Sequence, residues 1–189
     1  MMDGPLLWYL NRSTGFVILG LLTLATVLGV LATHGRAGRG VPRFVTQSLH
    51  RNVALLSVVM LVAHIVTAVA DTFVDIRWWQ ALVPYVGSTY EPLWLGMGTL
   101  ALDLVLVVTV TSLLRTRLPH RTWRGLHLLA YACWALSIGH TLGIGTDVRE
   151  GRAWATGFTA VCVAAVLAAA VYRVGRLGQG RPRTSAVAS

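Results

Sequence analysis

Apolar residues run along this chain in five blocks of membrane length, parted by short stretches rich in arginine, glycine and proline. The apolar cores are Gly15–Thr33, Val53–Ala70, Leu93–Leu114, Leu126–Ile144 and Ala153–Tyr172. Each approaches the roughly 20 residues that an α-helix needs to cross the hydrocarbon. The pattern predicts an all-α fold, an integral membrane bundle of five transmembrane helices. The second helix is expected to begin about a turn before its apolar core, which brings His50 onto it. The N-terminal stretch carries Asp3 in place of a basic region and lacks a small-x-small cleavage site, so the first helix is expected to be retained. Residues 1–172 form the expected transmembrane domain. The remainder, 173–189, is a Gly-, Arg- and Ser-rich basic tail expected to be disordered. The spans leave no room for a soluble catalytic domain. The longest loop, DTFVDIRWWQALVPYVGSTYEP, holds aromatics and prolines that predict a folded cap on the membrane surface.

Composition supports the membrane reading: hydrophobic residues make up 55% of the chain and charged residues 12%. The net charge of +9 points at the bilayer rather than at nucleic acid, because of how it is distributed. All 16 basic residues are arginine, and they gather in alternate loops. Arg36, Arg39, Arg43 and Arg51 lie between the first two helices; Arg115, Arg117, Arg121 and Arg124 between the third and fourth; Arg173, Arg176, Arg181 and Arg183 after the fifth. The other loops set Asp71, Asp75 and Glu91 against Arg77, and Asp147 and Glu150 against Arg149 and Arg152. By the positive-inside rule the N-terminus is outside and the C-terminus inside a cell membrane crossed several times. Trp8, Trp78, Trp79, Trp94, Trp123 and Trp154 fall near expected helix ends, as an aromatic belt places them. GRAGRG at residues 35–40 follows no strand, so no nucleotide site is read there.

The chemistry lies in the histidines. His50 and His64 sit on the second helix, His127 and His140 on the fourth. Both are even-numbered spans and run from inside to outside. The spacings of 14 and 13 residues give rises of about 21 Å and about 20 Å. His50 therefore pairs with His127 at an inner level and His64 with His140 at an outer one. Each pair can supply two axial nitrogens to an iron between the helices. Fourteen residues return to the same helix face. Thirteen leave His127 and His140 about 140° apart in an ideal helix, which requires either laterally offset haems or a bend near Gly139. There is no C-x-x-C-H, so covalent c-type attachment is not indicated and the haems are expected to be b-type. Cys133 and Cys162 read as packing residues. His34 and His120, in basic loops, are given no ligand role.

At this point the chain resembles the ferric reductase-like transmembrane domains, the membrane parts of NADPH oxidases and ferric reductases. It is also similar to the haem membrane subunit of the methionine sulfoxide reductase system. The resemblance rests on the paired histidines and on RTWRGLHLLAYACWALSIGHTLGIGTD, with its basic-Trp-x-x-Leu-His opening. NRSTGFVILGLL and VPYVGSTYEPLWLGMGTLALD add to it. It covers roughly Trp8 to Asp147. It implies two stacked b-type haems that move electrons one at a time across the bilayer. Family members that work alone carry a C-terminal flavin and nicotinamide domain and often six helices. Here five are read, with no flavin or nicotinamide site.

Four further residues complete the expected cofactor seat. Arginine pairs with carboxylates in a bidentate fork, so Arg51 and Arg124 are candidates for the propionates of the inner haem and Arg12 for the outer. Trp134 lies between the two iron levels, where its π-system would shorten the gap. Asp103, mid-way along the third helix, is read as an interior polar contact or a proton carrier. The expected protein is an oxidoreductase membrane subunit. A separate flavoprotein or quinol reduces it, and it passes electrons to an extracytoplasmic acceptor. Two rivals stand against this: a haem-free proton-coupled transporter using His64, His140 and Asp103, and a membrane scaffold for a redox partner.

Overall fold

A computed structural model describes residues 5–33, 42–71 and 76–179. Seven α-helices occur among them: α1 (Pro5–Thr33), α2 (Arg43–Ala70), α3 (Pro92–Leu113), α4 (His120–His127), α5 (Leu129–Ile144), α6 (Thr146–Arg149) and α7 (Ala153–Gln179). Four of these, α1, α2, α3 and α7, are long and apolar enough to cross a membrane. The helices exceed their apolar cores. α1 starts early enough to carry Trp8, Asn11 and Arg12, and α2 begins at Arg43, two turns ahead of His50. α7 continues to Gln179, so residues 173–179 of the expected tail are helical. GRAGRG, His34, Asp75 and residues 180–189 lie outside the described residues.

The fourth apolar block is divided. α4 and α5 meet at Leu128, whose backbone stays right-handed helical (φ −67°, ψ −19°). The turn is tight there: Leu128 N–H donates to Gly125 O at 3.2 Å, and Tyr131 N–H to Leu128 O at 3.1 Å. These three-residue bonds advance each residue by about 120° instead of about 100°. A few such residues between His127 and His140 would take up part of the azimuthal mismatch, about 20° each. The rewinding falls beside His127 rather than near Gly139, where α5 is regular.

Packing sorts the helices into pairs. α2 lies along α1, α5 lies along α3, and α7 covers the far side of α1. Small residues set these distances. Ala155, Thr159, Cys162, Val166 and Ala169 are buried on α7 at alternating steps of four and three, one helix face. Phe16 of α1 meets Trp154 and Phe158 of α7, with centroids 4.8 and 5.9 Å apart. Gly143 of α5 admits the Trp94 ring of α3, where a Cβ would overlap the indole. Between the pairs, Ala101, Val105 and Cys133 form a buried knot against Leu22, Val58 and Leu61. It fastens the bundle at mid-depth.

The described part of the long loop, residues 76–91, is a cap built on a 3₁₀ turn at Trp78–Ala81. Gln80 organises it. Its Oε1 accepts from Arg77 N–H at 2.9 Å, its Nε2 donates to Gly87 O at 2.6 Å, and its own carbonyl accepts from Thr99 on α3. Gly87 has φ +72° and lies against the Trp79 ring, so no side chain fits there. Trp78, Leu82 and Val83 remain exposed.

Candidate functional site

All four paired histidines point out of α2, α4 and α5 and engage a neighbouring helix through the same ring atom. His50 Nδ1 lies 2.9 Å from Ala25 O and His64 Nδ1 3.0 Å from Asn11 O, both on α1. His140 Nδ1 lies 2.8 Å from Trp94 O of α3, and His127 Nδ1 3.3 Å from Ser112 Oγ. Carbonyl oxygens only accept, so Nδ1 of His50, His64 and His140 carries a proton, and in the neutral ring Nε2 is then the atom with the lone pair. The Ser112 hydroxyl can accept in the same way at His127. This is the tautomer in which a histidine binds a metal, with its second nitrogen steadied by a backbone or side-chain partner.

Glycines make room for the rings. A Cβ at Gly15 would lie 3.4 Å from His64 Cε1, one at Gly29 would lie 3.3 Å from His50 Cε1, and one at Gly98 would lie 2.5 Å from His140 Nδ1. α1 thus carries two copies of one device. Asn11 and Gly15 serve His64; Ala25 and Gly29, 14 residues later, serve His50. The helix interval on α1 equals the histidine interval on α2, as antiparallel neighbours require.

The rings come together in pairs by level. His50 and His127 have centroids 6.1 Å apart and planes crossed at 73°. Two imidazoles bound through Nε2 to opposite sides of one metal ion, at about 2.0 Å each, have centres about 6 Å apart. His64 and His140 line a common cavity of about 230 Å³, with Asn11, Arg12, Gly15 and Gly98 among its walls. Among the described residues no third His, Cys, Asp or Glu joins either pair.

The remaining expected site residues are placed differently. Arg12 gives its Nε and Nη2 hydrogens to both oxygens of Asp147. Asp147 is wholly buried and also meets Arg152 Nε at 3.1 Å. The Arg12 guanidinium lies 4.5 Å over the Trp8 ring, at the wall of the His64/His140 cavity. Sequence reasoning missed Asp147, although a lone acidic residue closing the fourth block was the available signal. Arg51 and Arg124 are exposed. Trp134 reaches from α5 to α1, its Nε1 donating to buried Thr23 Oγ1 at 3.0 Å, between the two histidine levels. Asp103 is half-buried on α3, and no hydrogen bond or ion pair involves it among the described residues. His120, exposed, flanks Trp123 (centroids 5.7 Å), and Trp123 in turn stacks on His127 at 5.1 Å.

A family match covers this whole constellation, from the start of α1 to Asp147. The chain belongs to the family described as a domain of unknown function, DUF8596, matched over residues 6–147. No curated protein and no solved structure matches it. The DUF8596 region holds both histidine pairs, both α1 acceptor–glycine devices and the Arg12–Asp147 pair, and it stops short of α7.

Proposed function

We propose that this DUF8596 protein is a ferric reductase-like, two-haem b-type membrane protein that passes electrons singly between a separate donor and an extracytoplasmic acceptor. One observation carries the reading: four imidazoles fall as two pairs by level, each with Nδ1 engaged by a neighbouring helix, which in the neutral ring leaves Nε2 for a ligand. Histidine nitrogen is a donor that haem iron takes, and each pair of rings would supply two such nitrogens. His50 and His127 would hold the inner group, His64 and His140 the outer. Iron porphyrin bound in this way supplies a reversible one-electron couple.

The chain's own residues supply the rest. α1 and α3 engage the four rings, and Gly98 lets His140 lie close to the α3 backbone. The knot of Ala101, Val105 and Cys133 excludes water between the two levels. Trp134 lies in that interval, anchored on Thr23. Arg12, paired with Asp147, walls the outer cavity, and Arg51 and Arg124 border the inner level.

In this reading α4 and α5 together make a fifth span, because the helix is interrupted only at Leu128. The arginine-rich loops face the cytoplasm of a cell membrane and the N-terminus lies outside. The donor is a flavoprotein docking on the basic inner face or a membrane quinol.

The test is a reduced-minus-oxidised absorption spectrum with haem quantified per chain. The reading expects b-type bands and two haems. A folded, haem-supplied preparation without them refutes it, and a haem-free transporter or scaffold is then the better account.

A further inference from the structure

Two buried polar atoms lack a hydrogen-bond partner among the described residues: Thr46 Oγ1 and Trp123 Nε1. Their positions correspond. Thr46 stands four residues before His50 on α2, and Trp123 four before His127 on α4. Each is one helical turn beyond an inner-level histidine, on its face and toward the same end of the bundle. Thr46 is 3% exposed, and Trp123 stacks on His127 with 25° between the planes. Both atoms can donate, and the indole N–H can do nothing else. Both are shut off from water, so each represents an unmet cost unless an acceptor reaches it.

We infer that Thr46 and Trp123 form a carboxylate subsite at the inner level, donating from Oγ1 and Nε1 to a propionate of the group held by His50 and His127. The inference rests on the two-haem reading and deepens it. A carboxylate suits the pair because it offers two acceptor oxygens to donors arriving from two helices, and its charge strengthens both bonds. It also divides the labour with the arginines. Arg51 and Arg124 are exposed at the rim, whereas these two donors sit inside the helix packing.

Full-length apoprotein is reconstituted with haem or with haem dimethyl ester, which keeps the iron and loses the carboxylates. Loss of each to apomyoglobin is then followed by absorbance. The inner phase is the one missing from His50→Ala. The expected result is that wild type loses the ester roughly tenfold faster than haem in that phase, as removal of a charge-assisted bond implies. Thr46→Val and Trp123→Phe lose haem faster in the same phase and shrink the haem–ester difference, while Thr46→Ser retains it. Equal retention of haem and ester by wild type in the inner phase overturns the subsite. So does a difference that survives both Thr46→Val and Trp123→Phe. A wild-type protein that takes up neither compound overturns instead the two-haem reading on which the subsite rests.

Discussion

Replacing Gly98 by alanine is the sharpest perturbation of the outer site that leaves every ligand in place. A Cβ there would lie 2.5 Å from His140 Nδ1, 2.6 Å from Cε1 and 3.0 Å from Cγ, so the imidazole must move. The same turn of α3 also holds the ring through the 2.8 Å contact of Nδ1 with Trp94 O. Moving it breaks that bond, worth about 1 kcal/mol, and pushes χ angles off their wells at about 0.5–1.5 kcal/mol more. The sum, about 2 kcal/mol, corresponds to about a 30-fold weaker hold at the outer position. Gly29→Ala is the internal control. Its Cβ would come no closer than 3.3 Å to His50 Cε1, a contact relieved by a shift of a few tenths of an ångström. The assay is haem retention by each variant, in two phases, with thermal unfolding measured alongside to separate site loss from global damage. Gly98→Ala is expected to speed the outer phase and spare the inner one, and Gly29→Ala to change neither by more than a few-fold. If the two variants behave alike, the glycine cradle does not control the ring and the argument from close approach fails.

Other consequences are as direct. His64→Leu or His140→Leu should remove one haem per chain and His50→Leu or His127→Leu the other; loss of the same single haem in all four variants would exclude the pairing by level. Asp147→Asn leaves Arg12 and Arg152 without their buried counter-charge and should destabilise the protein by about 3 kcal/mol, seen as a lowered Tm. An unchanged Tm would mean that the pair does not bind α1 to the α5–α7 connection. Asp103→Asn should leave haem content unchanged, since Asp103 has no partner among the described residues; a slowed electron-transfer rate at full haem content would instead assign it the proton role. Cysteine placed at Glu91 should react with an impermeant maleimide on intact cells and cysteine at Arg117 only after permeabilisation; the reverse result inverts the proposed orientation.

The histidine levels were legible because rise per residue depends only on spacing. The 14- and 13-residue intervals predict two matched depths, and His50 and His127 do meet at one of them. Helix identity was legible for the same reason: apolar runs of membrane length have few alternatives. The break at Leu128 was not. Nothing marks HLLAY as a helix interruption, and a single tightened turn depends on how α4 and α5 pack on α3 rather than on local propensity. The partner of Arg12 was hidden for a different reason. Arg12 reads from the sequence as a partner for the outer haem's propionates, and only the fold brings residue 147 back to residue 12. Thr46 was invisible because threonine in a helix ordinarily satisfies its hydroxyl on the preceding turn.

The least expected feature is that α1, which holds no histidine, repeats the ruler of α2. An acceptor carbonyl followed four residues later by glycine occurs at Asn11/Gly15 and again at Ala25/Gly29. Fourteen residues are four turns at 3.5 residues per turn, so both devices fall on one face of α1 only if α1 and α2 wind gently about each other. That winding places both rings of α2 on the same seam. A one-residue insertion between Gly15 and Ala25 therefore tests the coupling without touching a histidine. It rotates one device by about 100° against the other. Whichever device stays in register keeps its histidine oriented, and the other is lost. The insertion should thus cost one haem and leave the other. If both survive, α1 does not orient the ligands, and the Nδ1 contacts that carry the functional reading are incidental to it.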